Sequence, residues 1–311
     1  MPGSLRPFGW SNSSTRARCS AAYGFDTARS TAWLATPRAV ACATYADRMP
    51  QPVSFRIAIE TAERELDRLA RSLDVSLEGK RGQCAVALGI ARQGFELYRG
   101  LRREAAADPL GITGTILLRS LAEAVILVRW IEGDPPLRVD MYFAEDDRQR
   151  LADAEPFRQF RTRRGRPNEP VYSAEQIAEM QANMATVRAR AVAAGEPIGE
   201  KRGSLLPPIE VMAQKTGDSA VWEAYEVIYR VTSPWTHTAG MALGSHRMEQ
   251  RPDGPHLVIG GPYRDLHLRA MASPLVAHLV GSTSRICGLG LEDEARVWQD
   301  AVVLWPTPID E

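Results

Sequence analysis

In the stretch EVIYRVTSPWTHTAG, two residues could do acid–base chemistry on an anion: Arg230 and His237, with six residues between them. A histidine titrates near neutrality and can give or take a proton. An arginine clamps a phosphate and stabilises the charge that develops on it. In an unbroken helix, residues seven apart lie on almost one face, about 10.5 Å apart along the axis, so both could reach one phosphate. Ser233, four before His237, shares that face. Pro234 follows it and leaves two geometries open. Either the helix runs on and bends where proline removes an N–H, or Ser233 caps a new helix with Pro234 at its first position. Both would suit an anion.

A second polar pair sits on ITGTILLRSLAEAVILVRWIE, which is apolar on nearly every side and so belongs in the middle of a bundle. It carries Arg119 and Glu123, four apart, on one stripe with Thr115. A buried charge is costly unless paired, so these two either pair with each other or hold something together. Arg119, Glu123, Arg230, Ser233 and His237 are the expected polar centre. Arg230 and His237 are the candidate catalytic residues; Arg119, Glu123 and Ser233 are the candidate binding residues. The competing expectation is a buried network in which His237 bonds Glu123 and merely specifies packing.

The segments LLRSLAEAVILVRW and IYRVTSPWTHTAG carry an R-S-x-x-E motif, then a tyrosine-rich helix leading into S-x-x-x-H. The positions are Arg119, Ser120, Glu123, Tyr225, Tyr229, Ser233 and His237. Together they resemble a bacterial helical family, domain of unknown function 5677, over roughly residues 80–285. The resemblance implies a helical fold and brings no chemistry. Separately, Arg-x(4–6)-His at a helix end is similar to the motif of the HEPN ribonuclease superfamily. That likeness implies metal-independent RNA cleavage, usually at a site formed across a homodimer. Two functions follow as expectations: a binding or regulatory protein for a small anionic ligand or a partner, and a HEPN-like ribonuclease acting on RNA.

Other chemistries find less support. His237, His246, His256, His267 and His278 are scattered. His267 and His278 could share a helix face, but about 16.5 Å apart along it, too far for one ion. No metal and no cofactor are expected. There is no Walker loop, and no G-x-S-x-G elbow. The four cysteines, Cys19, Cys42, Cys84 and Cys287, form no C-x-x-C pair, which fits a reducing cytoplasm better than a disulfide framework.

The 311 residues carry no net charge, 44% are apolar, and only three lysines stand beside 35 arginines. Apolar runs such as AVILV at Ala124–Val128 fall far short of the roughly 20 residues a membrane span needs, so no membrane partner is expected. Residues 1–48 hold six arginines and two acids, leaving a body of net −4, a poor bulk match for nucleic acid. Those 48 residues lack helical or strand period. They read as a disordered or mis-started extension, with Met49 as the start, rather than as a targeting segment. The remainder, 49–311, is expected to be a single all-α domain, mainly a helical bundle. Helices are expected near 55–73, 83–107, 112–132, 138–160, 173–194, 208–215, 219–231 or beyond, 263–287 and 292–304. A small β-hairpin is expected near 244–260, around Asp253-Gly254. Arg158, Arg161, Arg163, Arg164 and Arg166 read as a solvated loop or frayed helix end, or else a phosphate-contacting arm.

Overall fold

In the computed structural model, residues 55–78, 82–107, 112–166, 170–199, 203–236, 247–258 and 265–299 are described. Residues 1–48 and His237 lie outside them, so the expectations placed there are untouched. The described part is overwhelmingly helical. Helix α1 (Phe55–Ser72) buries Ile59, Ala62, Leu66 and Leu69, the three-and-four spacing read from the sequence. It lies on α9 (Asp265–Cys287). Helices α2 (Gly82–Ala107), α3 (Ile112–Gly133) and α9 pack on one another and form the centre. In α3, Leu118, Leu121, Ile126, Trp130 and Ile131 are fully buried, as a helix apolar all round must be. Gly94 on α2 matters to this centre, because a Cβ there would overlap the buried Leu279 of α9.

Helix α4 (Pro135–Arg163) and α5 (Ala174–Ala193) pack as an antiparallel pair, with Arg190 2.6 Å from Asp140 and Asn183 2.9 Å from Asp147. Asp134 caps α4, and Ser173 with Gln176 forms a complete capping box on α5. Of the alternatives for the arginine-rich run, the structure shows a helix end. Arg158, Arg161 and Arg163 are helical, since Glu155 at i−3 pairs with Arg158 at 2.7 Å and carries α4 onward; Arg164 is the C-cap.

After α6 (Ile209–Lys215), the chain runs through α7 (Ser219–Glu223), a π-helical turn (Ala224–Tyr229) and α8 (Arg230–Thr236) without a break. This run packs on α3. Strands β1 (Arg247–Arg251) and β2 (Gly254–Val258) pair antiparallel, with Arg251 opposite Gly254. Helix α10 (Glu292–Gln299) lies on α9. Among the described residues, no helix is long and apolar enough to cross a membrane.

Glu145 on α4 shows how the loops are held. It is buried, and its carboxylate accepts from Leu205 N at 2.8 Å, from Ser204 Oγ at 3.2 Å and from Arg148. Burial alone would raise its pKa. The Arg148 and Leu205 hydrogen bonds outweigh that and hold it below the ordinary value. A depressed folded pKa stabilises the fold fully above the unfolded value of about 4.3, and that stability is lost as pH falls through the folded value. Glu145→Gln is therefore expected to cost about 1–3 kcal/mol at pH 7 and to flatten the fall of melting temperature between neutral and acid pH. Equal acid slopes for the two proteins would contradict this.

Candidate functional site

The best-defined polar centre lies where α3 meets the π-helical turn and α8. Arg119 Nη2 donates to the Tyr229 hydroxyl at 3.0 Å, and Nε donates to Ser233 Oγ at 3.3 Å. The guanidinium carbon also stands 4.5 Å from the Tyr229 ring centroid. Tyr229 stacks on Tyr225 at 5.7 Å, and Tyr225 on Trp222 at 5.2 Å. Arg119 thus ends a continuous stack of three rings. Tyr225 has its hydroxyl pushed up to about 12 by burial and by Glu210 beside it, so it stays a neutral phenol at physiological pH.

The sequence positions these groups through two departures from a plain α-helix. Arg230 N–H bonds to Tyr225 O, five residues back, which closes the widened π turn. Ser233 then donates to Tyr229 O at 2.6 Å. Helix α8 passes straight through Pro234, so Ser233 is not the cap of a new helix. The same device recurs in α9, where Ser273 Oγ donates to Arg269 O at 3.0 Å and the helix continues through Pro274. In both places the serine hydroxyl bonds back into the preceding turn, beside the ladder bond that proline cannot make.

Of the expected centre, Arg119 and Ser233 meet directly. Glu123 is half-buried; among the described residues it has no hydrogen-bond or ion-pair partner, and it does not pair with Arg119 one turn away. Arg230 is 59% exposed and bonds Glu226 at 3.0 Å, one turn back on its own helix, with no bond to Arg119 or Ser233. The residues that sequence reasoning left out of the site are Trp222, Tyr225 and Tyr229. Their three-and-four spacing signals a single aromatic stripe.

Arg119 differs in its partners from most other half-buried or buried arginines, although Arg188 also meets backbone carbonyls, those of Gly203 and Ser204, and no carboxylate among the described residues. Arg102 meets Asp67 at 2.8 Å, Arg129 meets Glu132 at 2.7 Å, Arg138 meets Glu196 at 2.7 Å, and Arg269 meets Glu63 at 2.7 Å. Arg119 meets hydroxyls and a ring, and among the described residues no carboxylate. A surface cleft of about 460 Å³ lies elsewhere, between α1 and α2, lined by Leu73, Leu88, Phe95, Arg71 and Arg92. Among the described residues, no three His, Cys, Asp or Glu side chains cluster closely enough to hold a metal ion.

These features define an all-α protein in which Arg119, at the end of an aromatic stack, meets no carboxylate among the described residues. The chain belongs to the Family of unknown function (DUF5677), whose model matches residues 85–255, more than half of the chain and both motif-bearing segments. No curated protein and no solved structure matches it.

Proposed function

We propose that the chain is a binding or regulatory protein whose centre at Arg119 takes the anionic group of a small ligand. The observation that carries this is that Arg119, half-buried, meets two hydroxyls and a ring but no carboxylate among the described residues. A half-buried guanidinium without a counter-charge is unfavourable, and an incoming anion supplies what Asp67, Glu132, Glu196 and Glu63 supply to the other arginines. Glu123, one turn along α3, would meet a donor on the same ligand. This reading includes one helical domain beginning near residue 49, a β-hairpin insertion near 244–260, and a reducing, cytoplasmic setting that fits the buried thiols of Cys84 and Cys287.

The test compares Arg119→Met with Arg269→Met. A structural arginine costs several kcal/mol when removed from its buried partner, so Arg269→Met is expected to melt much lower than the wild type. Arg119→Met is expected to melt at or above the wild-type temperature without anions. It should also lose the stabilisation that wild type gains from inorganic phosphate, about 2.7 kcal/mol at one hundred times Kd. A fall of several degrees for Arg119→Met in phosphate-free buffer would make Arg119 structural and sink the proposal.

The second reading is a metal-independent, HEPN-like ribonuclease using Arg230 and His237, working as a homodimer on RNA. It is favoured by the exposure of Arg230, whose partner among the described residues is Glu226, one turn back. Its test is RNA cleavage by the full chain without metal, beside folded Arg230→Ala and His237→Ala. Activity lost in both variants supports it, and an inert wild type rejects it.

A further inference from the structure

The α4–α5 pair is a helical hairpin whose outer half lacks a core. From Asp146 to Arg166, and from Ser173 to Thr186, no described residue is buried. Helices gain most of their stability in proteins by packing an apolar face, and here that face is uncovered. Phe143, Phe157 and Phe160 on α4 are 49%, 53% and 48% exposed.

These phenylalanines fall on one stripe. Phe143, Asp146, Arg150, Asp153, Phe157 and Phe160 follow at alternating spacings of three and four, the pattern of a helix seam. From Phe143 to Phe160 it runs about 26 Å. Laid antiparallel against itself about a two-fold axis between residues 151 and 152, two of the three pairings of the stripe match, while the third sets Asp146, which holds Arg150 of its own helix at 2.8 Å, opposite Phe157. Phe143 falls opposite the second copy's Phe160, and Arg150 opposite the second copy's Asp153, each pair occurring twice. The helix is also polarised in charge. From Asp140 to Glu155 it carries six acids and two arginines, and from Pro156 to Arg166 five arginines and no acid. Parallel pairing would set like charges together, whereas antiparallel pairing lays each basic end on the other copy's acidic half.

We propose that α4 is a homodimer surface, with a second copy of this chain docked antiparallel through the Phe143–Phe160 stripe, so that two hairpins complete a four-helix arrangement. The self-complementarity is that of an isologous interface. The proposal stands independently of the role of Arg119 or Arg230.

The test is sedimentation or light scattering of the full chain. Wild type is expected at twice the 34.3 kDa of one chain. Arg150→Asp leaves two acids at the seam and Asp153→Arg leaves two arginines, so each alone is expected to weaken the dimer at least tenfold. Mixed one to one, the two variants restore both opposite-charge pairs and are expected to form a heterodimer. In the unmodified chain, residues 143–164 should gain protection from amide exchange as concentration rises, a measurement that needs no variant. The proposal is overturned by a wild type monomeric up to roughly 100 μM, by either variant dimerising as tightly as wild type, or by concentration-independent exchange over 143–164.

Discussion

Glu63→Leu is expected to lower the unfolding free energy by about 3–5 kcal/mol, which for a body of this size moves the melting temperature by on the order of 10 °C. Glu63 is buried on α1. Both its oxygens accept from Arg269 of α9, each at 2.7 Å, and Arg102 of α2 stands 3.5 Å away. One carboxylate thereby joins three helices. The parallel two-bond geometry is the strongest form such a pair takes. Removing Glu63 alone leaves the Arg269 guanidinium, 12% exposed, without its carboxylate. Removing both partners leaves nothing to compensate, so Glu63→Leu with Arg269→Met should recover most of the loss, while Arg102 keeps Asp67 at 2.8 Å. Urea unfolding of the four proteins of this cycle checks it. A double variant as unstable as the sum of the singles would mean that the pair acts through packing instead of charge.

The second large effect is at Trp130. Its ring is fully buried on α3, Arg138 stacks on it at 5.0 Å, and Arg138 also donates to the Trp130 carbonyl and to Glu196. Trp130→Ala is expected to cost about 3–5 kcal/mol, because it empties the volume beneath Arg138 and the turn from α3 into α4. Trp130→Phe should cost far less, under about 1.5 kcal/mol. Among the described residues the indole Nε1 meets no acceptor, so phenylalanine removes a buried donor along with the volume it gives up. Chemical denaturation separates the cases. Equal losses for the two variants would show that the indole nitrogen is satisfied by a group such as water.

Helix positions were legible in the sequence wherever apolar residues recur every three or four. The α1 stripe of Ile59, Ala62, Leu66 and Leu69 and the all-apolar α3 are instances, and the Ser173–Gln176 box marked the start of α5. Pairings between distant residues were not legible. Glu63 reads as part of a polar face, and Arg269, 206 residues on, with Arg102 of α2 makes its burial tolerable. Arg119 was singled out because it interrupts an apolar helix, yet its partners Tyr229 and Ser233 lie more than a hundred residues away, and local pattern cannot choose them. The Ser-Pro steps were ambiguous because capping and continuation use the same two residues; packing on α3 decides for continuation. The π turn left no trace, since it is a change of hydrogen-bond partner without a composition of its own.

That turn makes the polar centre a matter of chain length. Closing a loop of i→i+5 takes up one residue more than the α-helical ladder would. Deleting one residue between Tyr225 and Tyr229 would let the ladder revert to α while Tyr229 and Ser233 keep their phase toward Arg119. The same deletion in a plain α-helical stretch would rotate everything beyond it by about 100°. The π turn is one residue of slack in the backbone. A single-codon deletion there is expected to spare the centre, and one in α8 before Ser233 to uncouple Arg119.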